Sequence, residues 1–127
     1  LKEPVVLTHR KVVAIVEDDP DMRKGIVRLL NVYGFDTIAF PSAEAFLDEK
    51  AANEAVCLVL DIHLSGMTGI ELRRRMSASG STLPVIFVTA VDDEATRVEA
   101  LDTGCIAFLR KPFAASLLIG AIDKALH

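Results

Sequence analysis

The chain has 127 residues, 51% of them hydrophobic and 25% charged, a size and composition that point to one globular core. Lys and Arg number 14 against 18 Asp and Glu, a net charge of −4, which argues against a domain that grips nucleic acid by neutralising phosphates. Mean hydropathy is +0.37, yet no apolar run approaches the roughly 18 residues of a membrane span, so the excess must sit in several short buried elements.

In chain order, "LKEPVVLTHRK" has neither the continuous apolar region nor the cleavage site of a signal peptide. It reads as a short tail, residues 1–10, leading to a first strand, "VVAIV" (12–16). Met22, Ile26, Leu29, Leu30 and Tyr33 then recur at helical spacing from Pro20 onward, with Asp19 as N-cap, Pro20 at the first helical position and Gly34 as the stop. "DTIAF" (36–40) is a more polar strand, suited to a sheet edge, and "PSAEAFLDEKA" a short helix capped by Ser42. "VCLVLD" (56–61) is the third strand. Ile70, Leu72 and Met76 mark a third helix, capped by Thr68 and closed by Gly80. "PVIFVT" (84–89), a helix over 92–104, "CIAFL" (105–109) and a helix over 113–126 complete the chain, the last with Leu117, Leu118, Ile119, Ile122 and Leu126 on its apolar side. Cys57 and Cys105 lie in apolar runs without metal-binding spacing, and read as small buried hydrophobes in a reducing cytoplasm.

Strands alternating with helices define an α/β fold. The first, third, fourth and fifth strands are unbroken apolar runs, as expected of a parallel sheet covered on both faces. Right-handed crossovers then give a doubly wound five-stranded parallel sheet, with flavodoxin-like strand order 2-1-3-4-5.

In such a sheet all strands point their C-terminal ends at one edge, where ligands bind. Glu17 and Asp18 follow the first strand, Asp61 ends the third, Thr89 ends the fourth and Lys111 lies just past the fifth. Neighbouring first and third strands crowd three carboxylates together, and a hard divalent cation such as Mg²⁺ relieves their repulsion. With a lysine and a hydroxyl beside them the group resembles half of a phosphoryl-transfer site. Asp61 is the candidate nucleophile, forming an aspartyl-phosphate. Singly, each residue has a plainer reading: "EDDP" suits a helix start, Thr89 a strand end, and Lys111–Pro112 a loop.

The motifs "VEDD", "LDIHLSGMTG", "VTA" and "FLRKPF" together resemble the receiver domain of two-component response regulators, over about residues 11–126. The receiver is taken as 11–127, a CheY-like fold, and "SAEAFL" and "KPF" are similar to the FixJ-type branch, whose receivers often precede a helix-turn-helix DNA-binding domain. The resemblance implies that Asp61 is the phosphoacceptor. It implies that Asp18 binds Mg²⁺ (or Mn²⁺) directly, Glu17 binds it through water, and the backbone carbonyl of His63 supplies a third position. Thr89 becomes the switch hydroxyl, Lys111 the phosphate-contacting lysine, Lys111–Pro112 a cis peptide and Phe108 the aromatic switch. Leu64–Ser65 replaces the family's frequent Met-Pro, and His63 and Val91 occupy variable positions that influence dephosphorylation.

The implied function is a cytoplasmic, phosphorylation-controlled switch rather than an enzyme, though with self-catalysed phosphorylation and dephosphorylation as an option. A sensor histidine kinase or phosphotransfer protein would donate the phosphoryl group, docking on the first helix, where Met22 and Gly25 are candidates; Met22 could equally pack inside. A homodimer through helix 4, strand 5 and helix 5, or a fused DNA-binding output domain, would receive the signal, with no nucleic acid or membrane bound by this domain itself. Three competitors are weaker. A haloacid-dehalogenase-type phosphatase needs a second Asp where His63 stands. A degenerate receiver acting as a phosphorylation-independent binding module sits poorly with the complete Asp18, Asp61, Thr89 and Lys111 set. FMN binding would face acids after the first strand.

Overall fold

Residues of opposite parity in the unbroken apolar strands pack on opposite faces of one sheet. A computed structural model of the chain describes residues 10–49, 54–91 and 93–127. The elements are β1 (Val12–Val16), α1 (Pro20–Val32), β2 (Asp36–Phe40), α2 (Ala43–Leu47), β3 (Cys57–Asp61), α3 (Gly69–Ala78), β4 (Val85–Thr89), α4 (Glu94–Asp102), β5 (Ala107–Arg110) and α5 (Ala115–Leu126). All strand pairs are parallel and the order is β2-β1-β3-β4-β5, as predicted.

Ala14, Val16, Leu58, Leu60, Val85 and Phe87 pack with Phe46, Leu72, Met76 and Ala100 beneath α2, α3 and α4. Val13, Ile15, Cys57, Val59, Ile86 and Val88 pack with Ile26, Leu30, Leu118 and Ile122 beneath α1 and α5. A strand serving two cores has no polar face, which is why these runs do not alternate.

Three helix starts follow the cap chemistry read from the sequence. Asp19 accepts from the Asp21 and Met22 amides, Ser42 from Ala45, and Thr68 forms a reciprocal capping box with Glu71. Boundaries differ by one or two residues at several ends. The predicted α4 began at Asp92 and the predicted α2 ran to Ala51; those end residues, like tail residues 1–9, lie outside the described ones.

Five predicted apolar positions, in three elements, are corrected. Tyr33 is 52% exposed because it is the C-cap of α1, past the turn where helical spacing places a side chain. Leu117 is 57% exposed because the buried stripe of α5 runs through Leu118, Ala121 and Ile122, about 100° around the helix. Ala107, Phe108 and Leu109 are only half-buried, because β5 is an edge strand with β4 as its one neighbour.

Cys57 is fully buried, and burial pushes its thiol up to about 12. Alkylation of Cys57 in the folded chain at neutral pH is expected to run roughly a hundredfold slower than in the urea-unfolded chain. Site-resolved mass spectrometry after iodoacetamide treatment checks this, and equal rates would contradict it.

Candidate functional site

The C-terminal edge of the sheet gathers the residues that the strands deliver there. Carboxylate oxygens of Glu17, Asp18 and Asp61 lie within 4.8 Å of one another. Glu17 and Asp61 are buried at 1% and 4% exposure, while Asp18 is more open. Lys111 follows β5, and its backbone N–H donates to the Thr89 carbonyl (2.7 Å), which fixes the start of its side chain beside β4. From there Nζ crosses the end of β4 to Glu17 Oε1 at 2.5 Å and Asp61 Oδ2 at 3.4 Å. The Lys111–Pro112 peptide is cis, as expected.

One ammonium therefore faces three acids. Burial pushes the Glu17 carboxyl above the ordinary carboxylate value and the Asp61 charge adds to the push, while Lys111 opposes it. The backbone contributes further donors: Asp19 N–H to Glu17 Oε2 (3.2 Å), His63 N–H to Asp61 Oδ1 (3.2 Å) and Ser65 N–H to Asp18 Oδ2 (3.3 Å). Neutral amides do not balance the charge. Oxygen donors alone, two of the acids buried and a net negative cluster, fit a hard divalent cation of the Mg²⁺ or Mn²⁺ class.

Thr89 is fully buried, and its Oγ1 accepts from the Val91 amide (3.1 Å). Phe108 pairs in register with Phe87, two residues before Thr89, so Thr89 and Phe108 share the sheet face beneath α4. Phe108 is half-buried against that core. The His63 side chain is exposed; its position lacks the second Asp of a haloacid-dehalogenase-type phosphatase. On α1, Met22 packs partly into the core while Gly25 is exposed.

This fold and acid cluster agree with comparison to known proteins. The family described as the response regulator receiver domain matches residues 13–123. The chain belongs to that family.

Among curated receivers, the transcriptional regulatory protein FixJ of Bradyrhizobium diazoefficiens is 35% identical over 121 residues, which are 95% of this chain and 59% of that protein. Response regulator protein TodT of Pseudomonas putida is 31% identical over 115 residues, 91% of this chain and 51% of that protein. This receiver thus spans between half and three-fifths of these two relatives. The crystal structure of FixJ-N matches with a TM-score of 0.84 at 33% identity, covering 93% of this chain and 94% of that one. Response regulator StyR matches with a TM-score of 0.85 at 37% identity, covering 93% of this chain and 60% of that one. Response regulators are regulatory proteins rather than classical enzymes, and among the described residues no helix is long and apolar enough to cross a membrane.

Two residues within the quoted motifs carry contacts at this site that sequence reasoning did not assign. Gly69 at the start of α3 lies against the backbone of Asp61, and Glu44 on α2 accepts from the Met67 amide (2.9 Å). Glu44 and Met67 are 23 residues apart, and an acid in a helix's first turn already has a local explanation, so no pattern links them.

Proposed function

We propose that this receiver is a phosphorylation-controlled switch in which Asp61 accepts a phosphoryl group from the phosphohistidine of a sensor kinase or phosphotransfer protein. The observation that carries the reading is the convergence of Glu17, Asp18 and Asp61 at the strand ends, with Lys111 bonded to Glu17 and Asp61. An Asp61 carboxylate oxygen attacks phosphorus, the P–O bond forms as the P–N bond breaks, and the imidazole leaves with the electron pair and takes up a proton. Lys111 holds non-bridging phosphate oxygens, moving from the carboxylates it now contacts.

Asp18, Glu17 through water, Asp61 and the His63 carbonyl would hold Mg²⁺ or Mn²⁺, which when bound neutralises phosphate charge. The added phosphate charge draws Thr89 Oγ1 from the Val91 amide, and Phe108, on the same sheet face, moves into the space released. That motion reshapes the α4–β5–α5 surface, where Val98 and Leu101 are 56% and 44% exposed. A second copy of this receiver or an output domain reads the change. Relatives named as transcriptional regulators, of which this chain covers 59% or less, favour transcriptional output.

Incubation with acetyl phosphate and Mg²⁺ should add the mass of one phosphoryl group to the wild-type chain and none to Asp61→Asn, with uptake falling sharply when Mg²⁺ is chelated. No uptake by folded wild-type protein would replace this reading with a phosphorylation-independent binding module.

A further inference from the structure

The loop joining β3 to α3 carries the backbone of the site, yet few bonds hold its middle. Among the described residues, two side chains from other elements bond to the backbone between residues 64 and 68: Asp18 Oδ2 accepts from Ser65 N–H at 3.3 Å, and Glu44 Oε2 accepts from Met67 N–H at 2.9 Å. Gly66 lies between these two tethers at φ +77°, and a Cβ there would stand 2.8 Å from Glu44 Oε2. The carboxylate thus packs along the loop as well as accepting from it. The Met67 amide holds the Glu44 carboxyl below the usual carboxylate range, with a smaller contribution of the same sign from the Arg75 charge.

The two tethers differ in what else they must do. Asp18 belongs to the acid cluster, so its lone pairs are shared between Ser65 and whatever neutralises that cluster. Glu44 stands outside the cluster, at the first turn of α2, and has no such competing task. We infer that Glu44 is a positioning residue for the phosphoacceptor site: by holding Met67 it keeps the 63–66 backbone ordered when Asp18 is drawn to a cation. The inference rests on the reading of Asp61 and its acidic neighbours as a metal-dependent phosphoacceptor site. Without the tether, ordering the loop would be charged against each cation-binding event.

The test compares Glu44→Ala and Glu44→Gln with wild type in calorimetric titrations with Mg²⁺, with ¹⁵N–¹H spectra of the metal-free chains and phosphoryl uptake from acetyl phosphate. Glu44→Ala should move the Met67 amide resonance and weaken Mg²⁺ binding about fivefold, the range of one lost hydrogen bond. Its phosphoryl uptake should fall in proportion at low Mg²⁺ and return close to the wild-type rate at saturating Mg²⁺. Glu44→Gln keeps a carbonyl acceptor and should stay within about twofold of wild type. An unmoved Met67 resonance in Glu44→Ala, wild-type Mg²⁺ affinity in that variant, or a Glu44→Gln as weak as Glu44→Ala would each overturn the inference. Wild-type protein that binds no Mg²⁺ would overturn the underlying reading of the acid cluster too, and is told apart because the failure already appears without any substitution.

Discussion

Gly69→Ala is expected to destabilise this receiver by about 3 kcal/mol and lower its Tm by about 10 °C. Alanine normally improves a helix over glycine by about 1 kcal/mol, so propensity alone predicts the opposite sign. Space decides the matter. A Cβ at Gly69 would lie 2.2 Å from the Asp61 carbonyl oxygen and 3.0 Å from both the Asp61 carbonyl carbon and Ile62 Cα. All three are backbone atoms, so no side chain can swing aside. The Gly69 amide also donates to the Ile62 carbonyl (2.9 Å), and the Thr68–Glu71 capping box fixes the same turn. Relief requires either the end of β3 or the first turn of α3 to shift by about an ångström through a close-packed interior. The shift would also displace Asp61 from Lys111, so phosphoryl uptake should fall with stability. Urea unfolding followed by circular dichroism measures the effect, and a Gly69→Ala variant as stable as wild type would refute the argument.

The fold was legible because the sequence repeats one physical message. Runs such as Cys57–Leu60 feed two cores, and those of β1 and β3 are each followed by a cap and a helical stripe that agree with them. The acids at the strand ends were legible for the same reason: topology alone brings Glu17, Asp18 and Asp61 to one edge. What the pattern could not supply was distance. Position in sequence does not say that Glu17 is the deepest acid, or that Lys111 reaches across β4 to bond it at 2.5 Å. Those facts depend on the path of the β5–α5 loop. Gly69 ends the "LDIHLSGMTG" motif without an assigned role, because its smallness serves a contact with Asp61 that is visible only when β3 and α3 are placed together. Tyr33 and Leu117 failed in the other direction, since apolar identity and helical spacing do not establish that anything covers a residue.

Replacing Lys111 with methionine should destabilise the metal-free receiver by about 3 kcal/mol at pH 8, because it leaves buried carboxylates without their ammonium partner. The side chains of Glu17 and Asp61 are 1% and 6% exposed, and that of Lys111 is 12% exposed, so water screens the pair weakly. The loss should shrink on acidification. Glu17 already has its carboxyl raised above 4.5 by burial, and removing Lys111 takes away the influence that holds it down. The folded variant then binds more protons than the unfolded chain from about pH 4.5 up to the raised folded value, so its stability falls as pH rises through that window. At pH 5 the deficit relative to wild type should therefore be clearly smaller than at pH 8. Adding Glu17→Gln to Lys111→Met should recover much of the stability at pH 8, since the amide needs no counter-charge. Saturating Mg²⁺ should stabilise the single variant by the ordinary linkage of a ligand that binds only the folded chain. Urea midpoints at the two pH values decide the point. A deficit that is absent at pH 8, or equal at both, would mean that Lys111 carries little of the charge balance on which this site rests.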